Sequence, residues 1–247
     1  MTEQLTLVFF GNNKDLLRVS APEGRIRYRL NRRASIKDII EAVGVPHTEI
    51  CRLEYHDTEI SFQYIPSGGE EIFVYPFEKQ DDWHASSILR SKPFEALKFL
   101  VDMTALKLAR NLRIAGLDTK TVIGRKLKDI VEIANSEERI VVTKNRDLVK
   151  MRDLRLGQLL RSDDHRIQLR EVEERYELSA VAKPMSRCLV CNEILHHVSK
   201  ESILHRLEPL TRKYHTTFKE CSVCRKLYWP GSHHDRMMET FGSLWKK

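Results

Sequence analysis

The chain has 247 residues, of which 41% are hydrophobic and 31% are charged, and its net charge is +7. This composition is typical of a globular protein and excludes an extensively disordered chain, and no apolar run approaches the roughly 18 residues of a membrane span. The length favours two compact units, and the N-terminus lacks the basic region and cleavage site of a secretory signal, so we expect a cytoplasmic protein.

The positive charge is concentrated towards the C-terminus. Residues 1–80 carry 10 basic and 12 acidic side chains, whereas residues 183–247 carry 12 basic and 6 acidic ones, with six of the ten histidines. A positive field of this kind attracts polyanions such as RNA through phosphate contacts. Lys and Arg residues that only keep the surface soluble would give the same excess of positive charge. The charge alone therefore does not distinguish RNA binding from solubility.

The first 80 residues have the pattern of a small domain. Two stretches alternate like the strands of a hairpin, 4–10 and 25–30. Ser35 stands at an N-cap position before apolar residues at helical spacing, and Gly44 followed by Pro46 ends that helix. Further strands are predicted over 50–55, 58–62 and 71–75. A hairpin, a helix and then more strands is the order of a β-grasp domain.

A polar stretch precedes Pro93 and separates this domain from the rest of the chain. We place the linker at 81–96 and the second domain at 97–247. There, strands are predicted over 94–101, 119–123, 139–143 and 166–169. Helices are predicted over 105–114, 129–135, 148–154 and 171–178. The alternation implies a largely parallel α/β sheet, whose ligand site lies at the carboxyl ends of the strands. Asp102 and the turn Thr143-Lys144-Asn145 fall there.

The cysteines give the strongest local signal. Cys188 and Cys191 form one CxxC pair, and Cys221 and Cys224 form a second pair after 29 intervening residues. Four thiolates in two such pairs predict a closed structural zinc site that folds the segment around it. Two disulfides would be unusual in a cytosolic chain, and a redox role would need only one pair. Cys51 lies in a strand pattern and is predicted to be a buried small side chain.

Four histidines near these pairs could compete as zinc ligands: His196, His197, His233 and His234. Since four cysteines already satisfy zinc, we expect the histidines to face solvent or phosphate. A separate group of carboxylates lies near predicted strand ends: Asp102, Asp118, Asp129 and Asp147. Metal-dependent nucleases gather such residues around Mg²⁺ or Mn²⁺. A lone acidic residue in a loop is more often a cap or a solvated side chain, so this signal alone is weak.

Several segments resemble the Mut-seven C-terminal ribonuclease family: 99–119, 138–148, 186–193 and 221–237. Residues 35–50 and 67–76 are similar to the ubiquitin-like domain fused to these ribonucleases. The resemblance implies an N-terminal β-grasp domain followed by a PIN-like α/β nuclease domain with a zinc ribbon over 186–236. The pair Gly68-Gly69 lies inside the chain, so it is not a conjugation tail, and we expect the ubiquitin-like domain to be an adaptor with a protein partner.

The resemblance also implies a metal site, from which this chain departs. Asp102 matches the first acidic residue of the family, and Asp118 matches its LR-x-x-G-x-D-T element. An apolar Leu127 stands where the family has an acidic residue, and Asn145 replaces the aspartate of its T-R-D turn. Asp129 or Asp147 could substitute, although each is displaced by two residues. The residues expected to act in catalysis with Mg²⁺ or Mn²⁺ are Asp102, Asp118, Asn145 and Asp147.

We therefore expect a metal-dependent ribonuclease, weakened by the loss of two acidic positions. The alternative is a catalytically silent RNA-binding or adaptor protein, and a toxin-like nuclease is a third reading that the N-terminal domain disfavours. The residues predicted to contact RNA phosphates are Arg187, Lys213, Lys219, Arg225, Lys226 and Arg236. Tyr228 and Trp229 would either stack on bases or pack over the zinc knuckle.

Overall fold

The structure is a computed structural model that describes residues 4–77, 83–90, 92–231 and Gly242. The chain forms two compact units, each built from two stretches of sequence. The first unit contains Met1–Thr104 and Val122–Arg161, and the second contains Ala105–Thr121 and Ser162–Lys247. Among the described helices, none is long and apolar enough to cross a membrane.

The first unit begins with a five-stranded mixed sheet and one helix. Its elements are β1 (Gln4–Phe9), β2 (Arg25–Arg29), α1 (Ile36–Val43), β3 (Ile50–Tyr55), β4 (Thr58–Glu59) and β5 (Glu71–Pro76). The strand order is β2-β1-β5-β3-β4, with β1 parallel to β5 and antiparallel to β2. This arrangement confirms the predicted β-grasp domain, a name that we keep for residues 4–77.

Local sequence explains why α1 begins and ends where it does. The Ser35 side chain accepts a hydrogen bond from the Asp38 backbone N–H at 3.2 Å, which makes it the predicted N-cap. Four apolar residues of α1 face the core of the domain: Ile36, Ile39, Ile40 and Val43. Gly44 has a φ of 123°, and a Cβ there would lie 2.6 Å from the Leu16 carbonyl oxygen. Only glycine therefore fits at the end of this helix.

The remaining elements follow from residue 98. They are β6 (Lys98–Asp102), α2 (Leu106–Ile114), β7 (Asp118–Val122), α3 (Leu127–Ser136), β8 (Ile140–Thr143), α4 (Arg146–Val149), β9 (Gly157–Leu159), α5 (His165–Tyr176), α6 (Leu178–Val181), β10 (Leu195–Val198), α7 (Lys200–Ile203), α8 (Pro209–Tyr214), β11 (Phe218–Cys221) and β12 (Leu227–Tyr228). In the first unit, β8 pairs in parallel with β6 on one side and β9 on the other. The predicted parallel sheet is therefore confirmed.

The second unit contains the ribbon formed by the C-terminal cysteines. Its strands β10, β11 and β12 make an antiparallel sheet in that order. In the same unit α2 packs on α5, and Asn111 Nδ2 lies 2.9 Å from His165 Nδ1 between them. Gly116, which follows α2, has a φ of 83°, and a Cβ there would lie 2.0 Å from the Lys183 carbonyl oxygen. The chain before the ribbon therefore approaches the end of α2 too closely for any side chain at residue 116.

Three local predictions are wrong. Residues 166–169 are not a strand, because Asp164 accepts the Arg166 N–H at 2.7 Å and starts α5 there. The helix predicted over 148–154 begins earlier, because Asn145 caps it before Arg146, and it ends at Val149. Cys51 is only partly buried, since the β3–β5 register shifts between Ile50 and Arg52. Of the predicted linker 81–96, residues 81, 82 and 91 lie outside the described residues.

The β-grasp domain docks onto the parallel sheet within the first unit. Three consecutive side chains bind backbone groups after β8: His47 Nε2 lies 3.0 Å from the Leu154 carbonyl oxygen, Thr48 donates to the Val149 carbonyl at 3.2 Å, and Glu49 accepts the Leu159 N–H at 2.5 Å. Val149 and Leu159 also belong to the hydrophobic core of the β-grasp domain. The two sheets therefore share a core.

Candidate active site and cysteine cluster

The candidate active site begins at the carboxyl end of β6. The strand is apolar and fully buried over Phe99–Val101, and it delivers Asp102 at its last position with 5% of its surface exposed. Asp102 Oδ1 accepts hydrogen bonds from the Thr104 backbone N–H at 3.1 Å and the Thr104 hydroxyl at 2.5 Å. Asp102 Oδ2 accepts none from the part of the chain that the structure describes, so this oxygen is available to a ligand.

Two threonines connect Asp102 with the end of β8. The Thr104 hydroxyl lies 3.4 Å from the hydroxyl of the fully buried Thr143, and it accepts the Lys144 N–H at 3.0 Å. Thr143 in turn accepts the Asn145 N–H at 2.9 Å. The carboxyl ends of β6 and β8 therefore form one polar cluster, as parallel pairing predicts. The motifs did not single out Thr104, although it lies only two residues after Asp102.

Asn145 and Asp147 lie at the start of α4. Asn145 Oδ1 accepts the backbone N–H groups of Asp147 at 2.9 Å and Leu148 at 3.3 Å, so Asn145 is the N-cap of this helix. Its amide oxygen is thus already engaged, and Asp147 is exposed on the first turn. The structure joins Asn145 to Asp102 through the two threonines, and Asp147 follows on the same turn.

The donors around Asp102 suit a hard cation only in part. Carboxylate and hydroxyl oxygens are the ligands that Mg²⁺ prefers, and a buried carboxylate is stabilised by a positive partner. Across the described ranges, however, no group of three or more Asp, Glu, His or Cys ligands gathers around Asp102. Leu127 packs against the core of the parallel sheet rather than contributing charge. The site offers one carboxylate with neutral oxygens beside it.

Asp118 belongs to the second unit and has partners there. It is the first residue of β7, and its Oδ1 accepts a hydrogen bond from Asn192 Nδ2 at 2.8 Å. Its Oδ2 lies 3.6 Å from the Arg187 guanidinium. Asn192 Oδ1 also accepts the Thr119 N–H at 2.8 Å. These contacts tie the start of β7 to the loop that carries the first cysteine pair.

Arg113 is a residue of this network that motif reasoning missed. It is 6% exposed, and it donates to the carbonyl oxygens of Thr119 at 2.8 Å, Leu189 at 3.1 Å and Val190 at 2.9 Å. Burial lowers the pKa of Arg113, and the nearby cysteines and Asp118 oppose that shift. The signal for its role was present in the sequence, because Arg113 belongs to the LR-x-x-G-x-D-T element. In this unit the element supports the cysteine loop.

The four predicted cysteines form a cluster that could hold a metal ion. The Sγ atoms of Cys188, Cys191, Cys221 and Cys224 all lie within 4.8 Å of one another, and Cys188 and Cys224 are 3.5 Å apart. Tetrahedral zinc with Zn–S near 2.3 Å requires sulfurs roughly 3.8 Å apart. The cluster therefore fits a metal such as zinc.

The two cysteine loops have the same backbone form. Asn192 and Arg225 each lie four residues after the first cysteine of their pair, with φ of 68° and 60°. Their N–H groups each donate to the carbonyl of that cysteine at 2.9 Å. The repeated turn holds each pair of thiols towards the same point.

Tyr228 packs over the cluster. Its hydroxyl oxygen lies 3.2 Å from Cys188 Sγ and accepts the Leu189 N–H at 3.0 Å. Burial alone would raise the pKa of the Cys188 thiol, but hydrogen bonds from the Cys191 N–H and the Tyr228 hydroxyl lower that pKa to about 6. Trp229 is 37% exposed and lies against Phe218, with ring centroids 6.2 Å apart. Both aromatic residues contact the ribbon itself.

Several cations predicted to contact RNA are engaged within the ribbon. Arg187 donates to the Gly116 and Asn192 carbonyls, Lys219 donates to the Met185 carbonyl at 3.1 Å, and Arg225 pairs with Glu220 at 3.2 Å. Lys213 and Lys226 are exposed, as are His196 and His197, which are not part of the cysteine cluster. Arg236, His233 and His234 lie outside the described residues.

Comparison with protein families accounts for both parts of the chain. A family model described as the Mut7-C RNAse domain matches residues 97–241, and a model described as Mut7-C ubiquitin matches residues 2–82. No curated protein and no solved structure matches the chain.

Proposed function

The chain belongs to the Mut7-C RNAse domain family, and from this premise we propose that it is a metal-dependent ribonuclease whose reaction centre lies at Asp102. The observation that carries the proposal is the buried Asp102 at the carboxyl end of β6. Its Oδ1 is held by Thr104, and its Oδ2 accepts no hydrogen bond from a described residue. A carboxylate held in this way is preorganised to bind a cation without rearrangement.

The residues around Asp102 have distinct proposed roles. Asp102 holds Mg²⁺ or Mn²⁺ through Oδ2, and Thr104 fixes the direction of that oxygen. When bound, the ion supplies positive charge for a phosphodiester and lowers the pKa of a water molecule. Asn145 positions the start of α4, which presents Asp147 to the same region. The proposed role of Asp118, which belongs to the second unit, rests on the resemblance alone. The cysteine cluster holds zinc in a structural role, because four thiolates leave no open position.

We propose that the activity is weak for its family. Asn145 is neutral where the resemblance implies a carboxylate, and Leu127 is part of the core packing where a second one is implied. Each missing charge lowers the affinity for a hard cation, because Mg²⁺ binding depends on carboxylate ligands. Millimolar metal would then be needed for cleavage.

The second candidate function is RNA binding without cleavage. It is favoured by the single carboxylate at the site, because no group of three or more metal ligands surrounds Asp102 among the described residues. This function predicts RNA binding that falls with salt and needs no divalent metal.

Cleavage assays separate the two functions. Labelled single-stranded and structured RNAs would be incubated with Mn²⁺, Mg²⁺ or EDTA and either the unmodified chain or Asp102→Asn. Loss of a supporting partner already costs roughly 10–100-fold, so we expect Asp102→Asn to lose about 100-fold or more. Zinc content is measured for both proteins, so that an unfolded ribbon is not mistaken for an inactive site. Binding without cutting by either protein would retire the ribonuclease proposal.

A further inference from the structure

A basic cavity lies in the first unit between the β-grasp domain and the chain that follows α4. Its volume is about 1070 Å³, just above the roughly 300–1,000 Å³ of typical ligand pockets. Of its 18 lining residues, seven are Arg or Lys and three are Asp or Glu. Arg33 and Lys37 line it from the β-grasp side, and Lys150, Arg152 and Arg155 line it from the other side. The cavity therefore selects for anions.

Two of the exposed cations of this cavity are not paired with a carboxylate of a described residue. Arg33 and Arg152 are exposed, and their guanidinium groups form no ion pair with a described residue. By contrast, Lys92 and Arg155 both face Glu138, at 2.6 Å and 3.7 Å. The two arginines are thus the cations most available to a ligand.

Two half-buried lysines on opposite sides of the cavity donate hydrogen bonds only to backbone oxygens. Lys37 donates to the Arg152 carbonyl at 3.2 Å, and Lys150 donates to the Glu41 carbonyl. The Glu41 carboxylate is occupied by His47, whose Nδ1 lies 2.7 Å away and whose N–H donates to it at 3.2 Å. This carboxylate is therefore engaged by His47 and forms no ion pair with either lysine, although its charge acts on both.

Burial disfavours the charged form of both lysines, and a bound anion would favour it. Burial lowers the pKa of Lys37 and the charge of Arg152 adds to that shift, while Glu41, Asp38 and Asp153 oppose it. Burial also lowers the pKa of Lys150, with contributions from Arg18 and Arg146, while Glu41 and Asp147 oppose the shift. Cations that disfavour one another at a concave surface are stabilised when a phosphate binds between them.

The cavity is close to the candidate active site along the chain. Lys150 directly follows α4, and Asn145 caps the other end of that helix. At 1.5 Å per residue, the five steps from Asn145 to Lys150 span roughly 7.5 Å. A polymer that reaches the Asp102 cluster could therefore also contact the cavity.

We propose that this cavity binds the phosphate backbone of single-stranded RNA and that the β-grasp domain supplies half of the binding surface. The choice of RNA rests on the proposed ribonuclease function. Phe62 also lines the cavity and offers an aromatic surface to a base. The β-grasp domain then contributes directly to substrate binding, although its sequence carries a net negative charge.

The test measures binding of a labelled single-stranded RNA by fluorescence anisotropy, with the full chain in EDTA so that metal-dependent cleavage is absent. Arg33→Ala with Arg152→Ala removes two exposed cavity cations. Arg27→Ala with Arg29→Ala removes two exposed cations of β2 and is the matched control. Thermal unfolding checks that both variants remain folded. We expect the cavity variant to bind about tenfold more weakly, and its salt slope to fall by about 1.4, since each phosphate contact contributes about 0.7. The control should change little.

Equal losses in the two variants, or no loss in the cavity variant, would overturn the proposal. Competition by polyglutamate as strong as that by RNA at equal charge would overturn the assignment to RNA. The ribonuclease proposal can fail separately. If the chain binds RNA through Arg33 and Arg152 but does not cut it, the binding proposal stands and the ribonuclease proposal is wrong. If the chain cuts RNA and the cavity variant binds RNA as well as the unmodified chain does, only the proposal of RNA binding by the cavity is wrong.

Discussion

At the scale of single residues, Asn145 shows how one position can serve both folding and chemistry. Its amide oxygen caps α4 by accepting the N–H groups of Asp147 and Leu148. Aspartate caps a helix as well as asparagine does, so the neutral residue is not required by the fold. The sequence identified Asn145 as a departure from the family, but its capping role came only from the structure.

Replacing Asn145 with aspartate should therefore increase activity. Asn145→Asp retains the cap and adds a charge to the polar cluster that contains Asp102, which strengthens the binding of a divalent cation. We expect the Mn²⁺ concentration for half-maximal cleavage to fall about tenfold, equivalent to about 1.4 kcal/mol. As the control, Asn145→Ala should lose about 0.5–2 kcal/mol of unfolding free energy with the cap. An unchanged metal requirement in Asn145→Asp would show that residue 145 does not face the ion.

The role of Asp118, structural or catalytic, can be determined by comparing its alanine variant with that of Asp102. Asp118→Ala leaves the Asn192 side-chain amide without its acceptor and removes the carboxylate that pairs with Arg187. It should therefore cost about 1–3 kcal/mol of stability and loosen the first cysteine loop. Thermal unfolding and zinc content measured on Asp118→Ala and Asp102→Ala would distinguish the roles. If Asp118→Ala keeps its zinc and its melting temperature but no longer cuts RNA, Asp118 acts as a ligand of the catalytic ion instead.

At the scale of elements, sequence reasoning succeeded where a side chain and its backbone partner are close along the chain. Ser35 caps the start of α1 and Gly44 ends it, as predicted, because helix capping and a positive φ are local properties of the sequence. It failed for β9, whose three residues form a strand only because β8 lies beside them. It also failed for α5, where Asp164 was not identified as the N-cap.

The ribbon is the part of the chain whose folding we expect to depend most on a bound metal. The apolar core around the cysteines is small, with Leu195 as its buried aliphatic residue, so we expect metal binding to supply much of the folding free energy. Removing zinc with a chelator should abolish hydrogen-exchange protection in β10, β11 and β12. Cys188→Ser should bind no zinc, whereas Cys51→Ser, away from the cluster, should retain one zinc per chain. Protection that survives chelation would mean that the ribbon folds without metal.

At the scale of the molecule, the β-grasp domain and the parallel sheet of the first unit form one core. The sequence predicted both domains but not their contact, because His47, Thr48 and Glu49 bind backbone atoms. A backbone carbonyl or N–H carries no sequence signature, so such an interface cannot be read from side-chain patterns. Val149 and Leu159 complete the β-grasp core from outside that domain.

This shared core predicts that the two sheets of the first unit unfold together. Thr48→Val removes the hydrogen bond to Val149 and should cost about 1 kcal/mol. Calorimetry, with amide exchange in β1 and β8 as local probes, should show one transition for both sheets that moves to lower temperature in Thr48→Val. Thr58→Val, at an exposed position of β4, is the control and should change little. Separate transitions for β1 and β8 would contradict a shared core.

The central claim, that Asp102 holds the metal for RNA cleavage, is tested most directly by single-turnover kinetics. The cleavage rate of one labelled RNA would be measured over a series of Mn²⁺ concentrations for the unmodified chain and for Asp102→Asn, with zinc content confirmed in both. The account predicts a rate that rises with Mn²⁺ and saturates in the unmodified chain, and a rate at the background level throughout in Asp102→Asn. Equal rates in the two proteins, or cleavage that persists in EDTA, would contradict it.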